Sequence, residues 1–72
     1  ALDRKTKEFG AIAASLAFKC QGCIEGHIKK AIKYGATREE ISETIAITMG
    51  VGAAAVVDLT DIAADNMNLK LY

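Results

Sequence analysis

Apolar residues recur along the first part of this chain with the spacing of an α-helix. They occupy the i, i+3, i+4 and i+7 positions of one face, at Phe9, Ile12, Ala13 and Leu16. Asp3 precedes this pattern and has the side chain of an N-cap residue, which accepts a hydrogen bond from the backbone of the first turn. The pattern predicts a first helix that begins after Asp3 and ends near residues 18–19.

A second helix is predicted from about Cys20 to Tyr34. Its stripe is formed by Ile24, His27, Ile28, Ala31 and Ile32. Gly35 follows where helices often end in a left-handed residue, a conformation that glycine adopts without a steric penalty. Gly35 therefore marks the end of this helix.

Two more helices are predicted in the second half. Thr37 and Glu40 have the spacing of a capping box, which begins a third helix. This helix presents Ile41, Ile45 and either Thr48 or Met49. Gly50 and Gly52 predict a break or a close helix–helix contact, and a fourth helix follows from about Ala53. Its spaced residues are Val56, Val57, Thr60 and Ala64, and residues 66–68 are expected to fray.

These patterns predict an all-α fold of about four helices in a single domain over residues 1–72. Over residues 45–57, apolar and small residues stand nearly all round the helix. A helix of that kind must be buried, and a chain this small buries only about 60% of the surface that its unfolded form exposes. We therefore expect copies of the same chain to cover this helix in a homo-oligomer.

The charge balance argues against several classes of partner. Nine basic and nine acidic residues are interspersed, for a net charge of zero, so we expect neither nucleic acid nor an anionic membrane surface as a partner. No apolar run approaches the roughly 20 residues of a membrane-spanning helix. The first residues are helix-like and not those of a signal peptide, and the missing initiator Met suggests that some sequence precedes Ala1. Cytoplasm is the expected compartment.

The candidate chemistry lies on the second helix. Offsets of 0, +3 and +7 place Cys20, Cys23 and His27 within about 60° of one another on a helix. Attachment of c-type haem requires histidine directly after the second cysteine, and Ile24 stands there. Zinc could use the two thiolates and the imidazole, with Glu8 or another subunit as fourth ligand. The cysteines could also be two small buried hydrophobic residues.

A redox dithiol is the reading that we favour. The N-terminus of a helix stabilises a nearby thiolate, and Gly22 should ease closure of a disulfide. Cys20 lies nearer the helix start, whereas Cys23 lies one turn before His27, so the sequence does not decide which cysteine attacks. A histidine that acts as a base also needs a partner that orients its ring. Glu8 could serve if the first two helices form a hairpin, although the residues alone favour a solvated glutamate.

The chain resembles AhpD-like proteins in the carboxymuconolactone decarboxylase superfamily in one spaced motif. The motif is a glutamate, eleven residues, Cys-x-x-Cys, three residues and a histidine, and its positions here are Glu8, Cys20, Cys23 and His27. The resemblance covers roughly residues 2–57, including the start of the first helix and the segment around Thr37. It implies an all-α fold that assembles as a trimer or hexamer. It also implies an alkyl hydroperoxidase or disulfide reductase, with no cofactor beyond the cysteine pair.

By this resemblance, Glu8 orients His27, and His27 helps to deprotonate a cysteine. One thiolate attacks a hydroperoxide, or exchanges with a disulfide substrate, and the other cysteine resolves the intermediate as a disulfide. A thiol reductant protein or a lipoyl-type dithiol then reduces the pair. Some members carry a second histidine between the cysteines, where this chain has Gln21 and Gly22, so a longer proton relay and high peroxidase activity are not implied.

Lactone decarboxylation is not expected, because the decarboxylase that names the superfamily lacks the dithiol. Two alternatives stay open: a non-enzymatic zinc-binding oligomer, and a redox-sensing module that cycles between dithiol and disulfide without turnover.

Overall fold

The computed structural model describes residues 1–71 and contains three helices in that range. They are α1 (Arg4–Ala17), α2 (Gln21–Lys33) and α3 (Arg38–Asn66). Helix α1 packs against both α2 and the first part of α3. The prediction of an all-α fold is confirmed.

Side chains cap the first and third helices as the sequence predicts. The Asp3 carboxylate accepts a hydrogen bond from the Thr6 backbone N–H at 2.7 Å. At the start of α3, the Glu40 N–H donates to Thr37 Oγ1 at 3.1 Å, and the Thr37 N–H donates to Glu40 Oε1 at 2.9 Å. The capping box is therefore complete, and Lys5 Nζ adds a salt bridge to Glu40 Oε2 at 3.0 Å that joins α1 to α3.

Each helix ends with one residue in the left-handed conformation. These residues are Lys19 (φ 58°), Gly35 (φ 91°) and Asn68 (φ 54°). Gly35 is at the predicted position. Glycine and asparagine are the usual residues there, whereas a left-handed conformation costs most other residues about 1–2 kcal/mol. Lys19 is therefore unusual among the three.

The predicted break at Gly50 and Gly52 is wrong, and so is the separate fourth helix. Helix α3 runs without interruption for 29 residues. A glycine inside a helix costs only about 1 kcal/mol relative to alanine, which the hydrogen bonds of the flanking turns can outweigh. A Cβ added at either glycine would meet nothing within 4 Å, so neither makes a close helix–helix contact within this chain.

The buried core is small and lies between α1 and its neighbours. Ile12 and Ala31 are fully buried, and Ser15 is 6% exposed. The second half of α3 extends beyond this core, along a molecule that measures 51 Å in its longest dimension. Its exposed large apolar side chains are Val51, Val56, Val57, Leu59 and Ile62.

By length and composition, α3 could cross a membrane. Its most apolar 18-residue window has a mean hydropathy of 1.7, and none of that window is buried. Helix α3 is long enough for this because it continues through Gly50 and Gly52, where the sequence predicted a break. The run without charged side chains, residues 44–57, is nevertheless about 21 Å long at 1.5 Å per residue. A bilayer core is about 30 Å thick, and a core helix of a soluble assembly can have the same composition.

Candidate functional site

The turn between α1 and α2 fixes the position of Cys20. The Cys20 N–H donates to the Ser15 carbonyl at 2.9 Å, and the Cys20 carbonyl accepts from the Ile24 N–H at 3.0 Å. Cys20 is the N-cap residue of α2, with extended backbone angles and no side-chain capping bond. Its sulfur is therefore held at the N-terminus of α2, where helix N–H groups favour negative charge.

Cys20 and Cys23 are joined by a disulfide, with their Cα atoms 5.2 Å apart. The pair is thus in the oxidised form of a dithiol. Cys23 is exposed, whereas Cys20 is half-buried, so Cys23 is the more accessible residue for thiol–disulfide exchange. Gly22 has room for a Cβ and no positive φ, so closure of this disulfide does not depend on a glycine there.

The Glu8 carboxylate and the His27 ring meet between α1 and α2. Glu8 Oε2 lies 2.6 Å from His27 Nδ1, and the two side chains are 14% and 31% exposed, respectively. Because a carboxylate only accepts hydrogen bonds, this contact places a proton on Nδ1. In the neutral ring, Nε2 is then left as the acceptor, which is the form a general base requires.

Glu8 is therefore not the solvated glutamate that the residues alone favoured. Lys5 pairs with Glu40 instead, and Glu8 turns toward α2. The hairpin brings together two residues that are nineteen positions apart in the sequence. The periodicity of a single helix does not predict such a contact, because the residues lie on different helices.

A shallow hollow of about 270 Å³ lies beside the cysteines and the histidine. It is lined by Ala11, Ala14, Ser15, Phe18, Cys20, Cys23 and His27. Small alanine side chains leave the space open, and Phe18 is 84% exposed at its edge. The hollow is thus an apolar surface with the disulfide and the imidazole in its wall.

Ser15 and Phe18 were missed by sequence reasoning. The Ser15 hydroxyl donates to the Ala11 carbonyl at 2.6 Å, within α1, and its own carbonyl anchors Cys20. Phe18 is the C-cap residue of α1. Their nearness to Cys20 in the sequence could have indicated them, because the last turn of one helix lies near the start of the next when the turn between them is short.

Among residues 1–71, no group of three or more His, Cys, Asp and Glu side chains is arranged to hold a metal ion. Zinc binds cysteine as the thiolate, and both sulfurs are joined in the disulfide. Glu25 is exposed and takes no part in the contact between Glu8 and His27.

The chain belongs to the carboxymuconolactone decarboxylase family, whose model matches residues 1–65. This match confirms the family resemblance, and the family includes decarboxylases and alkylhydroperoxidases. The chain is also 48% identical over 56 residues to a Paracoccus denitrificans protein described as "Uncharacterized protein 4 in cox locus". That alignment covers 75% of this chain and 50% of the relative, so the chain spans about half the length of the curated relative that it matches.

Proposed function

We propose that the protein is a thiol–disulfide oxidoreductase that reduces alkyl hydroperoxides through Cys20 and Cys23. The observation that carries this proposal is the contact between Glu8 and His27 on the same helical hairpin as the disulfide. A disulfide alone is compatible with a structural role. An imidazole whose Nδ1 is held by a carboxylate, one turn from a cysteine, is an arrangement that activates thiols.

In the reduced protein, His27 Nε2 takes the proton from one thiol, directly or through a water molecule. Glu8 holds the ring and stabilises the imidazolium that forms. The thiolate attacks the peroxide O–O bond and becomes a sulfenic acid, and the released alkoxide takes the proton from His27 to leave as the alcohol. The second thiolate then attacks the sulfenic sulfur, which forms the disulfide and, with one more proton, releases water.

An external dithiol completes the cycle. Its thiolate attacks one sulfur of the disulfide, its second thiol displaces that cysteine, and the reductant leaves as a disulfide while both cysteines regain their protons. The exposed Cys23 supports its role as the sulfur that the reductant meets. The reductant, a thiol protein or a lipoyl-type dithiol, is part of the proposal, and no bound cofactor is required.

The proposal includes a cytoplasmic homo-oligomer, a trimer or a hexamer, that covers α3. Met49 and Val51, two exposed apolar residues of α3, line an apolar groove of about 740 Å³ between α1 and α3. Its walls also include Leu16 and Ile45. Copies that exchange these surfaces would bury both.

The hydroxyl groups of α3 are compatible with such burial. Thr44, Thr48 and Thr60 each donate to the carbonyl four residues earlier. Buried hydroxyls need a hydrogen-bond partner to avoid a desolvation penalty, and these already have one. Another copy could therefore cover this part of α3 without supplying hydrogen-bond partners for the three hydroxyls.

The test is consumption of cumene hydroperoxide by the reduced protein in the presence of a dithiol. Turnover should be lost in Cys20→Ser and in Cys23→Ser, since the complete cycle through the disulfide needs both sulfurs. Ser42→Ala, an exposed change on α3, should retain turnover. If both cysteine variants keep wild-type turnover, the proposal fails.

Two other results would point to the alternatives. A reversible disulfide without turnover would identify a redox-sensing module. About one zinc ion per reduced chain, bound through the thiols and detected by native mass spectrometry, would identify a metal site.

A further inference from the structure

The three helices end in the same hydrogen-bonding motif, but only after α1 is the left-handed residue a lysine. In each, the backbone N–H after the left-handed residue donates to a carbonyl five residues earlier, at 2.9 Å: Cys20 to Ser15, Ala36 to Ala31 and Leu69 to Ala64. The left-handed residue is glycine at the end of α2 and asparagine at the end of α3. At the end of α1 it is Lys19, directly before the redox cysteine.

Nothing in the described chain accounts for a lysine at this position. Its side chain is exposed and makes no hydrogen bond or ion pair within residues 1–71. Glycine would adopt this left-handed backbone conformation at a lower steric cost than lysine. What distinguishes this helix end from the other two is the residue that follows, since the Cα atoms of Lys19 and Cys20 are about 3.8 Å apart across one peptide bond.

We propose that Lys19 supplies a positive charge that stabilises the thiolate of Cys20. This inference rests on the proposed redox function and assigns it a further residue. When a dithiol reduces the protein, its thiolate attacks the exposed Cys23 sulfur, and the S–S bond breaks with its electron pair on Cys20. A better-stabilised leaving thiolate departs faster. Lys19 does not touch the substrate in this proposal. It is a positioning residue, whose charge affects the reaction only through the thiolate of Cys20.

His27 is the titratable side chain that shares the hollow with the two cysteines. Glu8 contacts His27 from α1, Glu25 is exposed on α2, and α3 contributes no side chain to the hollow. Lys19 is therefore the permanent cation next in sequence to this sulfur, and its removal leaves the other groups unchanged.

The first experiment isolates Cys20 in a Cys23→Ser background and measures its alkylation by neutral iodoacetamide as a function of pH. Lys19→Gln should move the profile to higher pH and slow alkylation near neutral pH about two- to fivefold, the range of an exposed charge interaction. Lys19→Arg should match the parent. High salt should remove the difference, because it screens exposed charges. Coincident profiles for the Lys and Gln proteins at low salt would overturn the proposal.

Lys19→Gly separates charge from backbone strain. It should raise the melting temperature, since glycine relieves the left-handed conformation, and yet alkylate as slowly as Lys19→Gln. Lys70→Gln, which removes an exposed cation near the other end of the chain, should alkylate like the parent. A glycine variant that reacts as fast as the parent would show that the charge has no role.

The second experiment follows reduction of the disulfide in the otherwise unmodified protein by dithiothreitol, with the products counted by mass spectrometry. Lys19→Gln should slow reduction by a similar factor, and Lys19→Arg should not. Neither experiment uses hydroperoxide. A protein without peroxidase turnover but with these Lys19 effects would therefore refute the proposed function and leave this inference standing, and equal reduction rates for Lys and Gln would refute the inference alone.

Discussion

The carboxylate of Glu8 lies 2.6 Å from Nδ1 of His27, so the protein orients its single histidine from a neighbouring helix. The pair is partly buried, at 14% and 31% exposure. Water competes less with a hydrogen bond in such a position than on an open surface. The imidazole is thereby held in one tautomer, with Nε2 left as the acceptor.

Glu8→Gln should lower hydroperoxide turnover about 10- to 100-fold, because the amide keeps the shape of the side chain but does not stabilise an imidazolium. Steady-state assays with cumene hydroperoxide and a dithiol would measure this effect. Glu25→Gln, an exposed carboxylate on α2, is the matched control and should behave as the wild type. A Glu8→Gln protein with wild-type turnover would show that the contact is structural.

Phe18→Ala should weaken the use of apolar hydroperoxides. Phe18 is exposed at the edge of the hollow beside the cysteines, where an alkyl or aryl group could cover it and lose contact with water. We expect KM for cumene hydroperoxide to rise several-fold, with little change in the rate with hydrogen peroxide, which has no apolar group. Equal losses with both peroxides would argue against a role in selectivity.

Glu40 should make the stability of the fold sensitive to acid. A hydrogen bond from the Thr37 backbone N–H, and then one from Lys5, lowers the pKa of Glu40 below its usual value of 4.5. A group whose pKa is lower in the folded state stabilises the fold above its unfolded pKa and loses this contribution as pH falls through the folded pKa. The melting temperature, measured by circular dichroism, should therefore decrease as the pH is lowered from about 4.5.

Glu40→Gln tests this link, since glutamine can still complete a capping box. Its melting temperature should be lower than that of the wild type at neutral pH, and the difference should shrink in acid. Glu39→Gln, in the same turn but without the pairing to Lys5, is the control. Asp3, whose pKa is lowered by hydrogen bonds from Thr6, should contribute in the same direction at a slightly lower pH.

Val56→Asp should disrupt the proposed assembly. Val56 is 66% exposed in the single chain, so a charge there is harmless to an isolated chain but unfavourable inside an apolar interface. Light scattering after size-exclusion chromatography should show a smaller species than the wild type. Lys29→Asp, an exposed change on α2, should leave the size unchanged. A wild-type protein that is monomeric at micromolar concentration would refute the oligomer.

Much of the local structure could be predicted from the sequence. The caps at Asp3 and Thr37 and the end at Gly35 involve atoms within a few residues of one another, so the sequence specifies both partners. The spacing of Cys20 and Cys23 likewise places them in adjacent positions at the start of a helix. The motif that joins them to Glu8 and His27 was sufficient to indicate the family.

Other features depended on how the helices pack. The identity of the residues did not reveal whether Glu8 faces solvent or His27, because that contact exists only when α1 and α2 fold against each other. Gly50 and Gly52 lower helix propensity, but their intrinsic cost is small enough for the surrounding turns to continue through them. The sequence by itself thus determined the helix caps, the apolar faces and the candidate redox pair. Tertiary structure decided the Glu8–His27 contact and the continuity of α3, since both depend on packing and hydrogen bonding beyond a single turn.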